Sequence, residues 1–297
     1  MWTRLIRRSC AATFVGMETR IKLPDWDALA ALADDDVPLV ETALLIARDE
    51  YPSLDPDVYS ACITRIADAL REEVAAIDSA PDRMATINRH LFEELGFAGD
   101  ADRYYDPRNS YLNDVFDRRR GIPLSLALVQ IAVARALDVP LDGVSFPGHF
   151  LVSLAVDDGI LVMDPFNRGR SIGAEELKRR ATPHLGGQAP DDGLLFEILS
   201  PASHRAIVMR MLRNLKSLYA EDEAWDKVAR CADRQLKLTP GTLDGLRDRG
   251  MAYLKLGHPS AAREDLARYL ALAPTADDVD AVRAALIETG RSTTRLN

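Results

Sequence analysis

Cysteine is scarce in this chain. Cys10, Cys62 and Cys231 are far apart, odd in number, and form neither a CxxC pair nor a metal-ligand spacing. That excludes a disulfide-stapled secreted fold and points to a reducing compartment, the cytoplasm. No apolar run is long enough for a transmembrane helix, so no membrane span is expected. Basic charge is in deficit: 37 Lys and Arg stand against 46 Asp and Glu, for a net charge of −9. Such a surface repels phosphate backbones, which argues against nucleic acid as a partner. A Walker A loop and a GxGxxG turn are both missing. His90, His149, His184, His204 and His258 form no HExxH and have no Cys partners, so no metal and no cofactor are expected. What remains is ordinary globular material, 47% hydrophobic and 28% charged, which excludes wholesale disorder and a fibrous protein.

The first 23 residues have two readings. Arg4, Arg7 and Arg8 before Ala-Ala-Thr-Phe-Val suggest a signal peptide. The break at Thr13 and the charges at Arg20 and Lys22 favour a disordered extension ahead of a start at Met17. Residues 24–100 read as a helical region. One helix covers Val37 to Arg48. A second is capped by Asp55, and a third runs from near Pro81 to Leu95 and stops at Gly96. In residues 101–200, Asn109 or Ser110 opens a short helix ended by Gly121. Pro123 then starts a helix that is apolar nearly all round and therefore central. The period next changes to that of two strands, GVSFPGHFLVSLAV and GILVMDPF, joined at Asp157-Asp158-Gly159. A short helix spans Ala174 to Arg180, and TPHLGGQAPDDG is a turn-rich connection.

Residues 201–290 repeat. Tyr219 and Tyr253, Leu236 and Leu270, and Pro240 and Pro274 are each 34 positions apart. With Gly250, Tyr253, Ala262, Leu266 and Pro274 in place, this is the tetratricopeptide signature. The first unit is degenerate, with Lys216 where glycine is usual. Two units are fewer than an independent solenoid needs, so the pair is expected to pack on the preceding domain.

Three blocks stand in order in the middle of the chain: RRRGIPLSL at Arg118 to Leu126, FPGHF at Phe146 to Phe150, and MDPFNRG at Met163 to Gly169. With the C-terminal repeats, they make the chain resemble the SirB1 family over roughly residues 30 to 275. The resemblance implies an α+β fold: an N-terminal helical region, a papain- or transglutaminase-like core with a small antiparallel sheet, and a C-terminal helical pair. It also implies a centre in which a Cys at a helix start, a His on the next strand and an Asp on the strand after act together. His149 and Asp164 match the last two. The nucleophile does not match, because alignment through Ala136 to Pro140 puts Pro123 at the Cys position.

Ser125, in the first turn of the same helix, offers a hydroxyl and completes a formal Ser125–His149–Asp164 order. Two residues is roughly 200° of helix rotation, which turns it away from where the Cys would point. It reads equally as a local cap. Asn113, Pro123 and Arg120 are the expected site-lining residues. Arg118, Arg119 and Arg120 bind an anion, or simply complement a helix end and pair with Asp114 and Asp117. Tyr104 and Tyr105 line a groove or pack a loop. The expected function is a protein-binding or scaffold role, with a protein or peptide ligand held by the core groove or the repeats. The alternative is an acyl-transfer enzyme or amide hydrolase built on Ser125, His149 and Asp164.

Overall fold

A helix with apolar residues on every side has no face to give to water, so other elements must surround it. The helix opened by Pro123 shows this in the computed structural model, which describes residues 23–157 and 159–294, with side chains to Gly290. Cys10 and the N-terminal extension lie outside these residues. By internal contacts the chain forms two units, one of Asp34–Ile207 and one of Pro24–Ala33 with the chain from Val208 onward. Each is taken by itself.

Helix α1 (Trp26–Ala30) belongs to the second unit. The first opens with α2 (Leu39–Arg48) and α3 (Pro56–Ala75). The Asp55 carboxylate caps α3 by accepting from the Asp57 N–H, and Cys62, Ile63, Ala67, Leu70 and Val74 face inward. Helix α4 (Ala80–Asn88) does not continue to Leu95 as an α-helix. It widens into a π-helical turn, Arg89–Glu94, closed by Leu95 N–H donating to the His90 carbonyl at 2.9 Å. Strand β1 (Ala98–Gly99) follows. Then come α5 (Leu112–Arg118), β2 (Arg120–Gly121), which pairs parallel with β1, and α6 (Pro123–Ala136). Helix α5 starts after Tyr111 and stops at Arg119, in the left-handed region at φ 56°, so Gly121 does not end it. Helix α6 buries eleven of its fourteen residues, and Pro123 opens it where the missing N–H costs nothing.

The sheet is antiparallel in the order β3 (Leu141–Val144), β4 (Leu151–Val156), β5 (Gly159–Asp164) and β6 (Arg170–Ser171). The long strand expected from GVSFPGHFLVSLAV is two strands. Pro147 and Gly148 form a tight turn in which His149 N–H donates to the Phe146 carbonyl at 3.1 Å. Gly148 has φ +68°, which a Pro-Gly turn of this kind requires at its third position. His149 therefore sits on the turn ahead of β4, not on a strand. The β4–β5 hairpin closes with Val156 opposite Gly159; Asp158 lies outside the described residues. Helix α7 (Ala174–Ala181) and α8 (Asp192–Ile198) complete this unit with the start of α9 (His204–Glu221). Leu177, Ala181 and Leu195 from α7 and α8 join Val144, Phe146, Leu151 and Val162 in one apolar cluster.

The second unit contains the rest of α9, then α10 (Trp225–Leu238), α11 (Leu243–Lys255), α12 (Pro259–Leu272) and α13 (Val279–Thr294). In the second repeat, Gly250 lets α12 come close. A Cβ there would sit 2.8 Å from Leu266. In the first repeat the sizes are exchanged, with Lys216 at the glycine position and Ala232 at the leucine position. The buried Lys216 ammonium donates to Gln235 at 2.8 Å and pairs with Asp248 at 2.5 Å. The unusual residue thus replaces an apolar contact between helices with a satisfied polar one.

Candidate functional site

The sheet turn and the end of β5 bring His149 and Asp164 together. His149 Nε2 donates to Asp164 Oδ1 at 2.9 Å, with the imidazole 22% exposed and the carboxylate fully buried. Asp164 is held by more than the histidine. Its Oδ2 accepts from Arg180 at 2.9 Å and from Asn167 Nδ2 at 2.6 Å, while Oδ1 also accepts the Phe166 N–H at 3.1 Å. Burial alone would push this carboxyl up. The His149 hydrogen bond and charge, with Asn167 and Arg180, outweigh it and hold Asp164 well below the ordinary carboxylate range. Arg180 is itself braced by Glu176, which Arg170 grips through both oxygens. The hydrogen bond from Arg170 holds Glu176 down to about 2.

Ser125 is fully buried and faces elsewhere. Its Oγ donates to the Asn109 carbonyl at 2.5 Å and accepts from the Ile122 N–H at 3.1 Å. The hydroxyl thus joins the 109–122 loop to the first turn of α6, and the structure does not bring it to His149. Ser125→Ala is expected to cost about 0.5–1.5 kcal/mol, the net worth of the lost hydroxyl bonds, because the Ile122 amide keeps the Asn109 carbonyl as an acceptor at 3.2 Å. Urea titration of the full chain checks this; a change within error would show that the hydroxyl carries no structural load.

Pro123 is buried at the head of α6, and Asn113 is buried with no partner for its Oδ1. Arg120 is exposed and donates to the carbonyls of Gly96 and Arg119 at 2.9 Å. Arg119 donates to the Leu95 carbonyl, and Arg118 pairs with Asp100 at 3.2 Å. All three arginines thus serve helix ends and loops. Asp114 and Asp117 accept from Tyr51 at 2.7 Å and Tyr59 at 3.2 Å, so the expected pairing with those arginines is replaced by tyrosine bonds.

Phe166, Gln130, Asn88 and Arg180 join the centre without a role assigned from the sequence, and Tyr104 and Tyr105 fall in a row of rings. Phe166 meets the His149 ring edge to face at 6.3 Å, and its own ring lies against Gly99, where a Cβ would be 2.5 Å away. Tyr104 follows Phe166 at 5.8 Å and Tyr105 follows Tyr104 at 5.3 Å, a row of aromatic rings running from the imidazole to the 71% exposed Tyr105. The polar Gln130, in the middle of the apolar α6, was the one available signal. It donates to Asn88 at 2.6 Å, and Asn88 donates to the Gly169 carbonyl at 3.2 Å, bracing the turn that follows Asp164. Arg180 left no trace in the sequence pattern. Among the described residues, no group of three His, Cys, Asp or Glu side chains is placed to hold a metal, and no helix is long and apolar enough to cross a membrane.

A helix headed by Pro123, a His–Asp pair across a sheet turn, and a C-terminal run of paired helices define a class. The family model of the transglutaminase-like superfamily matches residues 57–213, and that of the tetratricopeptide repeat matches residues 215–287. The chain belongs to the UPF0162, or SirB1-like, family. A UPF0162 protein of Xylella fastidiosa is 58% identical over 272 residues, covering 92% of this chain and 97% of that protein. One from Pseudomonas aeruginosa is 34% identical over 84% of this chain and 90% of its own. One from Vibrio cholerae is 31% identical over 76% of this chain and 83% of its own. No solved structure matches the chain.

Proposed function

We propose that this chain is a cytoplasmic binding protein whose transglutaminase-like centre holds an extended segment of a protein partner without turning it over. One observation carries the reading. The His149–Asp164 pair persists at 2.9 Å, while the helix start that supplies a nucleophile in this class offers Pro123, and the nearby Ser125 hydroxyl is spent on Asn109 and Ile122. A base without a nucleophile to activate has no acyl-transfer role. A polar pair at the end of an aromatic row fits recognition, with rings supplying contact area and His149 a directional hydrogen bond. The tetratricopeptide pair adds a repeat type that presents binding surface. The scattered cysteines support the cytoplasmic location.

Incubating the full chain with a peptide library, followed by mass spectrometry, tests this. The expected result is retention of a subset of intact peptides, weakened about fivefold or more by Tyr105→Ala, since a ring of this kind contributes more than about 1 kcal/mol at a contact. New peptide termini or acylated amines that vanish in His149→Ala would overturn it in favour of an enzyme.

A further inference from the structure

We infer that α10 carries a docking site for a short acidic helix of a partner protein, which this chain fills with its own helix α1. The site belongs to the repeat unit alone and stands whether or not the His149 centre holds a peptide. Helix α1 comes from the opposite end of the sequence, yet within the second unit its main neighbour is α10. Five residues are too few for a helix to persist unaided in water, so α1 owes its order to that seat. It is held as a bound peptide helix is held. Trp26 and Leu29, three positions apart on one face, are its buried residues, while Asp27 and Ala28 between them are exposed. The Asp25 carboxylate caps it by accepting from the Ala28 N–H at 2.7 Å. The Arg234 guanidinium of α10 lies over the Trp26 ring, 5.3 Å from its centre.

Charge selects the same pairing. Residues 24–36 carry five aspartates and no lysine or arginine. Helix α10 is the reverse, with Lys227, Arg230, Arg234 and Lys237 against Asp226 and Asp233, in a chain whose net charge is −9. Asp233 is moreover taken by Arg249 at 2.8 Å, which leaves α10 more basic still. The tether from α1 to the first unit, residues 31–36, is exposed throughout, and Asp34 at its end pairs with Arg205 at 2.7 Å. An element seated by two side chains on an exposed tether opens locally at less cost than the unit it covers. A partner helix with an aromatic residue, a leucine three positions on and flanking carboxylates meets the same seat and the same bases. It therefore competes with α1.

Fluorescence anisotropy with a fluorescein-labelled peptide of residues 23–36 tests this on the full chain. Trp26→Ala with Leu29→Ala vacates the seat. The peptide is expected to bind this double variant at least about tenfold more tightly than wild type, where α1 competes. A peptide with alanine at both positions should not bind, and binding should weaken as salt is raised. No binding to the double variant, or equal affinity for variant and wild type, would overturn the site. Wild-type dimers that the double variant does not form would give the seat to α1 of a second copy and overturn the foreign partner. Hydrogen exchange of the wild type is a separate reading. The Leu29 amide, which donates to the Asp25 carbonyl at 3.1 Å, should exchange with deuterium at least about tenfold faster than the Ala232 amide inside α10. Equal protection would make α1 a fixed part of the repeat core, and the inference would be lost even if the double variant folds poorly.

Discussion

Asp164→Ala is expected to cost about 3–5 kcal/mol of stability, the range for removing one partner of a buried ion pair. The substitution strips the acceptor from His149, Arg180, Asn167 Nδ2 and the Phe166 amide together. His149 and Arg180 are 22% and 29% exposed, so water reaches part of each, and the lower end of the range is expected. Asp164→Asn keeps the shape and isolates the charge. Because the folded state holds this carboxyl below its ordinary range, its contribution is fully present above about pH 4 and is lost as pH falls below that. The stability gap between wild type and Asp164→Asn in urea should therefore be widest near neutral pH and narrow on acidification from about pH 4 downward. A gap that stays constant to about pH 3 would mean that Asp164 works by shape alone.

The same pair shows how far the sequence could be read. Helix α6 was legible because Pro123 and apolar residues on nearly every side leave one arrangement, a central helix. The repeats were legible because a 34-residue spacing survives a degenerate unit. His149 and Asp164 were legible as matching positions. The strand that became a turn carried its own warning in Pro147-Gly148, a dipeptide that marks turns whatever apolar residues flank it. By contrast, the π-helical turn at Arg89–Glu94 adds one residue between hydrogen-bonded partners, and periodicity cannot register an insertion that leaves composition unchanged. The fate of Ser125 depended on the 109–122 loop, whose path is set by contacts remote in sequence. Its hydroxyl was reachable as a local cap, but its shortest bond goes to a carbonyl sixteen residues away.

Arg249→Met is the corresponding large effect in the repeats. Arg249 grips Asp265 through two nitrogens at 2.8 and 2.9 Å and reaches Asp233 at 2.8 Å, joining α10, α11 and α12. The hydrogen bond with Asp265 holds the guanidinium more firmly charged than usual. Without it, Asp265, only 7% exposed, is left as an uncompensated buried charge, and a loss of about 3 kcal/mol is expected. Asp233 keeps Arg234 at 3.4 Å and adds little to that loss. Replacing both partners, Arg249→Met with Asp265→Leu, removes the desolvated charge along with its partner. This double variant should return to within about 1 kcal/mol of wild type. With Trp2 replaced by Phe throughout, the two remaining tryptophans, Trp26 and Trp225, both lie in this unit, so tryptophan fluorescence during urea titration reports its unfolding. A double variant no more stable than Arg249→Met alone would mean that the pair fastens the three helices through geometry that apolar side chains do not replace, and that the charge was never the dominant cost.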